Sequence, residues 1–218
     1  MKILITAGPT REALDPVRYL SNRSSGKMGY ALAEAARDAG HDVVLVTGPV
    51  SIAAPDNVEV VRVESATDMF EAVRTHLDGC DAAIFAAAVA DYRPAEVAPQ
   101  KIKKASDELV LHLVRTADIL GSARSVFGFE GVLVGFAAET TDLIAHAQDK
   151  CLRKRCDLIV ANDVSQPGIG FDSSDNAVTL CFADGTVQPI AQASKSAIAR
   201  EIMTVVERLQ KHRDSARD

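Results

Sequence analysis

The strongest constraint on this chain is a regular alternation of short, continuously apolar runs with segments of helical spacing. "MKILIT" (1–6), "DVVLVT" (42–47), "VEVVRV" (58–63), "DAAIFAAA" (81–88), "GVLVGFAAE" (131–139) and "DLIVAN" (157–162) each have strand length. Most are apolar at successive positions, so both faces of the sheet they form need cover. Helical spacing falls between them. In 27–39, Met28, Ala31, Leu32 and Ala35 share a face and Gly40 stops the run; further helices are expected at about 67–77, 117–126 and 141–155. Strand–helix alternation with right-handed crossovers gives an α/β fold: a Rossmann-like, doubly wound, mainly parallel sheet with helices on both faces. "LVLHLV" (109–114) reads as one more strand. The end of the chain differs. "NAVTLCF" and "VQPI" flank Asp184-Gly185 as a β-hairpin, followed by a terminal helix at about 193–211. With no repeat, low-complexity stretch or linker, residues 1–218 are expected to form a single domain.

The charge balance narrows the partners. A formal net charge of −6 argues against a nucleic-acid backbone, so basic residues must act locally. Cys80, Cys151, Cys156 and Cys181 show no metal-ligand spacing and are expected to be reduced, small apolar residues. No signal peptide is legible and no apolar run reaches about 18 residues, which excludes a membrane helix and predicts a cytoplasmic protein.

In sheets of this type, ligands bind beyond the carboxyl ends of the strands. The corresponding segments are Gly8 to Thr10, Ala86 to Arg93, Phe136 to Thr140, and Asn162-Asp163. The first of these leads into "SNRSSGKMG", where Asn22, Ser24, Ser25, Gly26 and Lys27 precede a helix. Such a loop offers N–H groups, hydroxyls and a cation to an anion; the plainer alternative is a serine cap beside a solvated lysine. Neither the P-loop spacing nor G-x-G-x-x-G is present. In "AAAVADYRP" (86–94), small residues let a ligand approach the backbone, and Asp91 suits a divalent cation on a polyphosphate, or else simply forms a turn. "QKIKKASDE" (100–108) clusters Lys101, Lys103 and Lys104. Either it is a solvated face, the expected reading for Lys103 and Lys104, or a lid carrying a cation to a triphosphate. All five histidines lie outside these loops, which favours positioning and electrostatics over a histidine base. Carboxylate activation by a nucleoside triphosphate fits that pattern.

Taken in order, "ILITAGPTREALDPVRYLSNRSSGKMG", "AAAVADYRP", "KIKK", "VGFAAET" and "DLIVANDVS" resemble the bacterial phosphopantothenate–cysteine ligases, over nearly the whole chain. The resemblance implies a ligase of coenzyme A biosynthesis: 4'-phosphopantothenate and CTP give an acyl-cytidylate and pyrophosphate, and L-cysteine then displaces CMP. It implies CTP as co-substrate with Mg2+ or Mn2+, and a homodimer. It also implies a relation to a phosphopantothenoylcysteine decarboxylase, a half expected to be absent from a chain beginning at Met1. By the same resemblance, Asn22 and Lys101 are catalytic. Arg18 binds the pantothenate phosphate, either within its own subunit or from across a dimer interface, with Asn22, Ser24, Ser25, Gly26 and Lys27 on the same substrate. Phe85, Ala86, Ala87, Asp91, Lys101, Ala117, Asp118, Ile119, Leu120, Phe136, Lys150 and Lys154 bind the nucleotide, and Asp91 serves the metal. Lys150 and Lys154 are spaced i, i+4, which independently suits one target. A nicotinamide oxidoreductase on the same fold lacks both G-x-G-x-x-G and a Tyr-x-x-x-Lys pair. A non-catalytic nucleotide-binding module leaves Asn22 and the lysine segment unexplained.

Overall fold

The structure is a computed structural model that describes residues 1–103, 108–139, 141–163, 173 and 175–217. In chain order the elements are β1 (Lys2–Ala7), β2 (Arg11–Ala13), β3 (Tyr19–Ser21), α1 (Lys27–Asp38), β4 (Asp42–Thr47), β5 (Glu59–Arg62), α2 (Ala66–His76) and β6 (Ala82–Phe85). Then come β7 (Tyr92–Pro94), β8 (Leu113–Arg115), α3 (Ile119–Ser125), β9 (Val132–Glu139), α4 (Leu143–Lys154), β10 (Leu158–Asp163), β11 (Asp175–Phe182), β12 (Val187–Ser194) and α5 (Lys195–Arg217).

Eight strands form one sheet in the order β12-β11-β10-β9-β6-β1-β4-β5. From β10 to β5 every neighbouring pair is parallel, while β11 and β12 join as antiparallel partners. The continuous apolar runs explain this. Ile3, Leu4 and Ile5 are all fully buried, so successive residues of β1 meet cover on opposite faces. On one face Leu32 and Ala36 of α1 pack with Ile198, Ile202 and Val206 of α5. On the other lie Met69 and Val73 of α2, Ala123 of α3, and Ala147 and Cys151 of α4. The expected Rossmann-like α/β architecture with its C-terminal hairpin is the one observed.

The "LVLHLV" expectation is corrected. Only Leu113–Arg115 is strand, and it pairs with Tyr92–Pro94 in a separate two-stranded ribbon. β6 pairs directly with β9 (Ala82 opposite Val132), leaving no slot between them, and Leu109, Val110 and Leu111 remain exposed. A second ribbon, β2–β3, joins residues on either side of Asp15-Pro16. "DAAIFAAA" stops as a strand at Phe85, because Ala86 to Ala88 leave the sheet toward the β1 exit. Residues 104–107 of the lysine segment, Thr140, and Val164 and Ser165 of the last motif lie outside the described residues.

Gly29 is where α1 meets β1. A Cβ there would sit 2.5 Å from the Ala7 Cβ, with little freedom on either side to yield. Gly29→Ala should therefore lower stability by about 1–3 kcal/mol through overpacking, read as a lower urea midpoint. An unchanged midpoint would mean that the contact is not tight.

The four cysteines are buried free thiols. Burial pushes the Cys151 thiol up to about 11 and the Cys156 thiol up to about 12. At pH 8 both should be almost entirely protonated and resist alkylation by iodoacetamide until urea unfolds the chain. Rapid labelling of either in the folded state, detected by peptide mass mapping, would contradict this placement.

Candidate active site

The exits of β1 and β6 are hydrogen-bonded to one another. Ala88 N–H donates to the Gly8 carbonyl at 2.9 Å, and Thr10 N–H donates to the Ala88 carbonyl at 3.2 Å. Thr6 Oγ1 accepts from Ala87 N–H at 3.2 Å, and Thr10 Oγ1 accepts from Ala90 N–H at 3.0 Å. Two threonines of the β1 region thus tie down the small-residue loop, taking up the Ala87 and Ala90 N–H groups.

Asn22 joins this assembly from the polar loop. Its Nδ2 donates to the Ala88 carbonyl and its Oδ1 accepts from Ser24 N–H at 3.0 Å. One amide N–H and one acceptor lone pair remain for a ligand. Ser24 Oγ accepts from Gly26 N–H at 3.3 Å, and α1 begins at Gly26 with φ +79°, a conformation that favours glycine. The first turn of α1 carries no acidic residue, so the positive helix end meets no carboxylate of its own there. Lys27 follows on the exposed surface.

Beyond the β6 and β9 exits lies a cavity of about 650 Å³. Phe85, Ala87 and Asp91 form its wall on the β6 side, Ala117, Asp118, Ile119 and Leu120 come from the start of α3, and Phe136 from β9. Lys150 and Lys154 enter from α4. Lys150 Nζ donates to the Phe136 carbonyl at 2.7 Å, and Lys154 forms an ion pair with Asp118. Asp118 also caps α3, accepting from Gly121 N–H at 2.9 Å. Partial burial opposes its ionisation, but the Lys154 ammonium and the Gly121 N–H outweigh that and hold its carboxyl below the usual range.

Of the residues expected on a nucleotide, Ala86 and Lys101 are not part of this wall. Several unexpected ones are: Tyr92, Arg115, Thr116, His146, Asp149 and Arg153. His146 requires a correction. It lies outside the strand-exit loops, as read, yet it reaches the cavity from α4 in line with Lys150 and Lys154 at i, i+4, i+8. Extending the lysine spacing by one turn was the signal that could have found it.

Arg18 has a different setting from the one expected for a simple phosphate ligand. Its Nε donates to Asp15 Oδ2 at 3.0 Å and its Nη2 to the Ile102 carbonyl at 3.0 Å. Asp15 is buried, and the Arg18 guanidinium holds its carboxyl well below the usual carboxylate range against the cost of burial. Ile102, Val17 and Arg18 N–H groups add to this. Lys101 and Lys103 are exposed on either side of half-buried Ile102.

A mainly parallel sheet whose β1 and β6 exit loops are tied together, with a polar loop on one side and a cavity lined by both cations and carboxylates on the other, defines a Rossmann-like α/β domain. The chain belongs to the DNA/pantothenate metabolism flavoprotein C-terminal domain family, whose model matches residues 1–209. It is 50% identical over 212 residues to the coenzyme A biosynthesis bifunctional protein CoaBC of Vibrio vulnificus strain YJ016, covering 96% of this chain and 53% of that protein. The protein of the same name from Bacillus subtilis strain 168 is 47% identical over 213 residues, covering 96% of this chain and 52% of its own length. The chain therefore spans about half the length of these curated relatives. The crystal structure of the C-terminal domain of such a CoaBC superimposes with a TM-score of 0.83 at 43% identity, covering 97% of this chain and 96% of that one. The family resemblance read from the motifs is borne out. No helix among the described residues is long and apolar enough to cross a membrane.

Proposed function

We propose that residues 1–218 form a single ligase domain, which joins 4'-phosphopantothenate to L-cysteine at the expense of CTP, through an acyl-cytidylate. The observation that carries this reading is the Asn22 amide on the Ala88 carbonyl. It ties the anion-favouring loop to the rim of the cation-lined cavity, so two ligands bound there have their reactive ends at one place.

In this reading, the phosphopantothenate sits on Ser24, Ser25, Gly26 and Lys27, with Arg18 on its phosphate. CTP lies in the cavity against Phe85, Ala87 and Phe136, with residues 117–120 around the base and ribose. Lys150 and Lys154 neutralise its phosphates, and Lys101 reaches the reacting centre. The carboxylate of phosphopantothenate attacks the α-phosphorus and pyrophosphate leaves. The amine of cysteine then attacks the acyl carbonyl held by the remaining Asn22 N–H; the amide bond forms, CMP leaves with the C–O bond electrons, and the amine loses a proton to water. An ionised carboxylate is already a nucleophile, which suits a site without a buried histidine base.

Mg2+ or Mn2+ would be held by Asp91 and would supply charge neutralisation on the triphosphate. Asp91 suits such a role as an exposed cavity-wall carboxylate, and no group of three or more His, Cys, Asp or Glu residues that could cage an ion occurs among the described residues. Magnesium typically relies on one or two carboxylates plus substrate phosphates.

The two ribbons expose Val17, Tyr19, Tyr92, Leu113 and Val114, an apolar display that supports a homodimer built across them. The relatives carry a bifunctional name and the chain matches about half of their length; association with a phosphopantothenoylcysteine decarboxylase, in a cytoplasmic setting, is part of the same proposal. Release of pyrophosphate that requires both CTP and phosphopantothenate tests the reading. Pyrophosphate formed without phosphopantothenate, or none with both present, would count against it.

A further inference from the structure

We propose that Asp15 is a positioning residue for this reaction: with Arg18 it clasps the peptide of Ile102 and so sets where Lys101 stands. The proposal rests on the role given to Lys101 above.

The Asp15 side chain is fully buried. It accepts from Val17 N–H at 2.8 Å and Arg18 N–H at 2.9 Å, which closes its own turn. It also accepts from Ile102 N–H at 3.1 Å, while Arg18 Nη2 donates to the Ile102 carbonyl at 3.0 Å. Both the donor and the acceptor of one residue are therefore held by a turn far away in sequence. Nearby, Ala98 N–H donates to the Leu14 carbonyl at 3.0 Å, bringing the chain to the same turn four residues earlier. Residues 100–103 belong to no helix or strand, and these bonds anchor their backbone at Ile102. With Ile102 turned to the protein, Lys101 is left exposed.

A buried carboxylate is costly, and an apolar residue could close an ordinary turn. What the carboxylate adds is reach in two directions. It orients the guanidinium through Nε and Nη2, which leaves the Nη1 donors for an anion, and it fixes the lysine segment. One group thus sets the geometry of the cation proposed for the pantothenate phosphate and of the one proposed for CTP. Misplacing a reacting group by about 1 Å can cost on the order of 10²-fold in rate.

The test is a double-mutant cycle on the intact chain with Asp15→Asn and Lys101→Gln, read as kcat for pyrophosphate release. Alongside it, hydrogen exchange is measured at the Ile102 amide. Asp15→Asn should speed Ile102 exchange and lower kcat by on the order of 10–10²-fold. In the Lys101→Gln background the same change should cost kcat less than about threefold, since there is no ammonium left to misplace, while the loss through Arg18 falls on KM for phosphopantothenate in both backgrounds. If Asp15→Asn does not fold, Ile102→Pro, which removes the N–H that Asp15 accepts from, carries the kcat part of the same cycle. Equal losses in both backgrounds, or unchanged exchange at Ile102, would overturn the proposal. If Lys101→Gln alone leaves kcat intact while Ile102 exchange still rises, the role given to Lys101 is what fails, and the proposal falls with it although the clasp stands.

Discussion

Replacing Lys101 by glutamine is expected to reduce kcat for pyrophosphate release by on the order of 10²–10³, the usual loss when one preorganised donor to developing charge is removed. Negative charge shifts onto the departing pyrophosphate as the α-phosphorus is attacked. An ammonium placed there helps the transition state more than bound CTP, so affinity for CTP should fall far less than kcat. Glutamine keeps much of the side chain's length and a donor, which isolates the charge. Lys104, outside the described residues, is read from the sequence as a solvated neighbour, so Lys104→Gln should be milder. Steady-state kinetics and equilibrium CTP binding on both variants decide it. If Lys104→Gln is the more damaging, the active cation has been put on the wrong lysine.

Changing Asn22 to aspartate should have the second largest effect, and it should fall mainly on the cysteine step. The Nδ2 of Asn22 donates to the Ala88 carbonyl, a bond that an ionised carboxylate cannot make. The lost tie to Ala88 slows both steps, and the negative charge set beside an anionic acyl-cytidylate weighs additionally on the cysteine step. Rapid-quench analysis should find that intermediate accumulating, with its reaction with cysteine slowed more than its formation. Equal loss of both steps would mean that Asn22 holds the loop together and does nothing specific for the acyl group.

The parallel sheet was legible because its strands are apolar on both faces, a pattern with few other outcomes. The small ribbons were not. β2, β3, β7 and β8 have three residues each, too short for periodicity to register, and "LVLHLV" read as one more strand although its residues are largely exposed and only its last two enter β8. Phe85, Asp91, Phe136, Lys150 and Lys154, which the family resemblance implied, line one cavity, and of these Asp91 and Phe136 were also read as strand-exit residues. What sequence could not give were contacts between distant segments. Asp15 reads as half of an Asp-Pro turn, and nothing local announces that its carboxylate reaches Ile102. Likewise His146 reads as an ordinary helix residue until α4 is docked beside β9.

The central claim is that the chain activates a carboxylate as an acyl-cytidylate, and single-turnover quench measures it most directly. The enzyme is mixed with CTP labelled at the α-phosphate, phosphopantothenate and Mg2+, without cysteine. A labelled acyl-cytidylate should appear together with pyrophosphate, and a cysteine chase should convert it to CMP and phosphopantothenoylcysteine. Formation of CDP and inorganic phosphate, the signature of an acyl phosphate, or the absence of any labelled intermediate that cysteine consumes, would contradict the account.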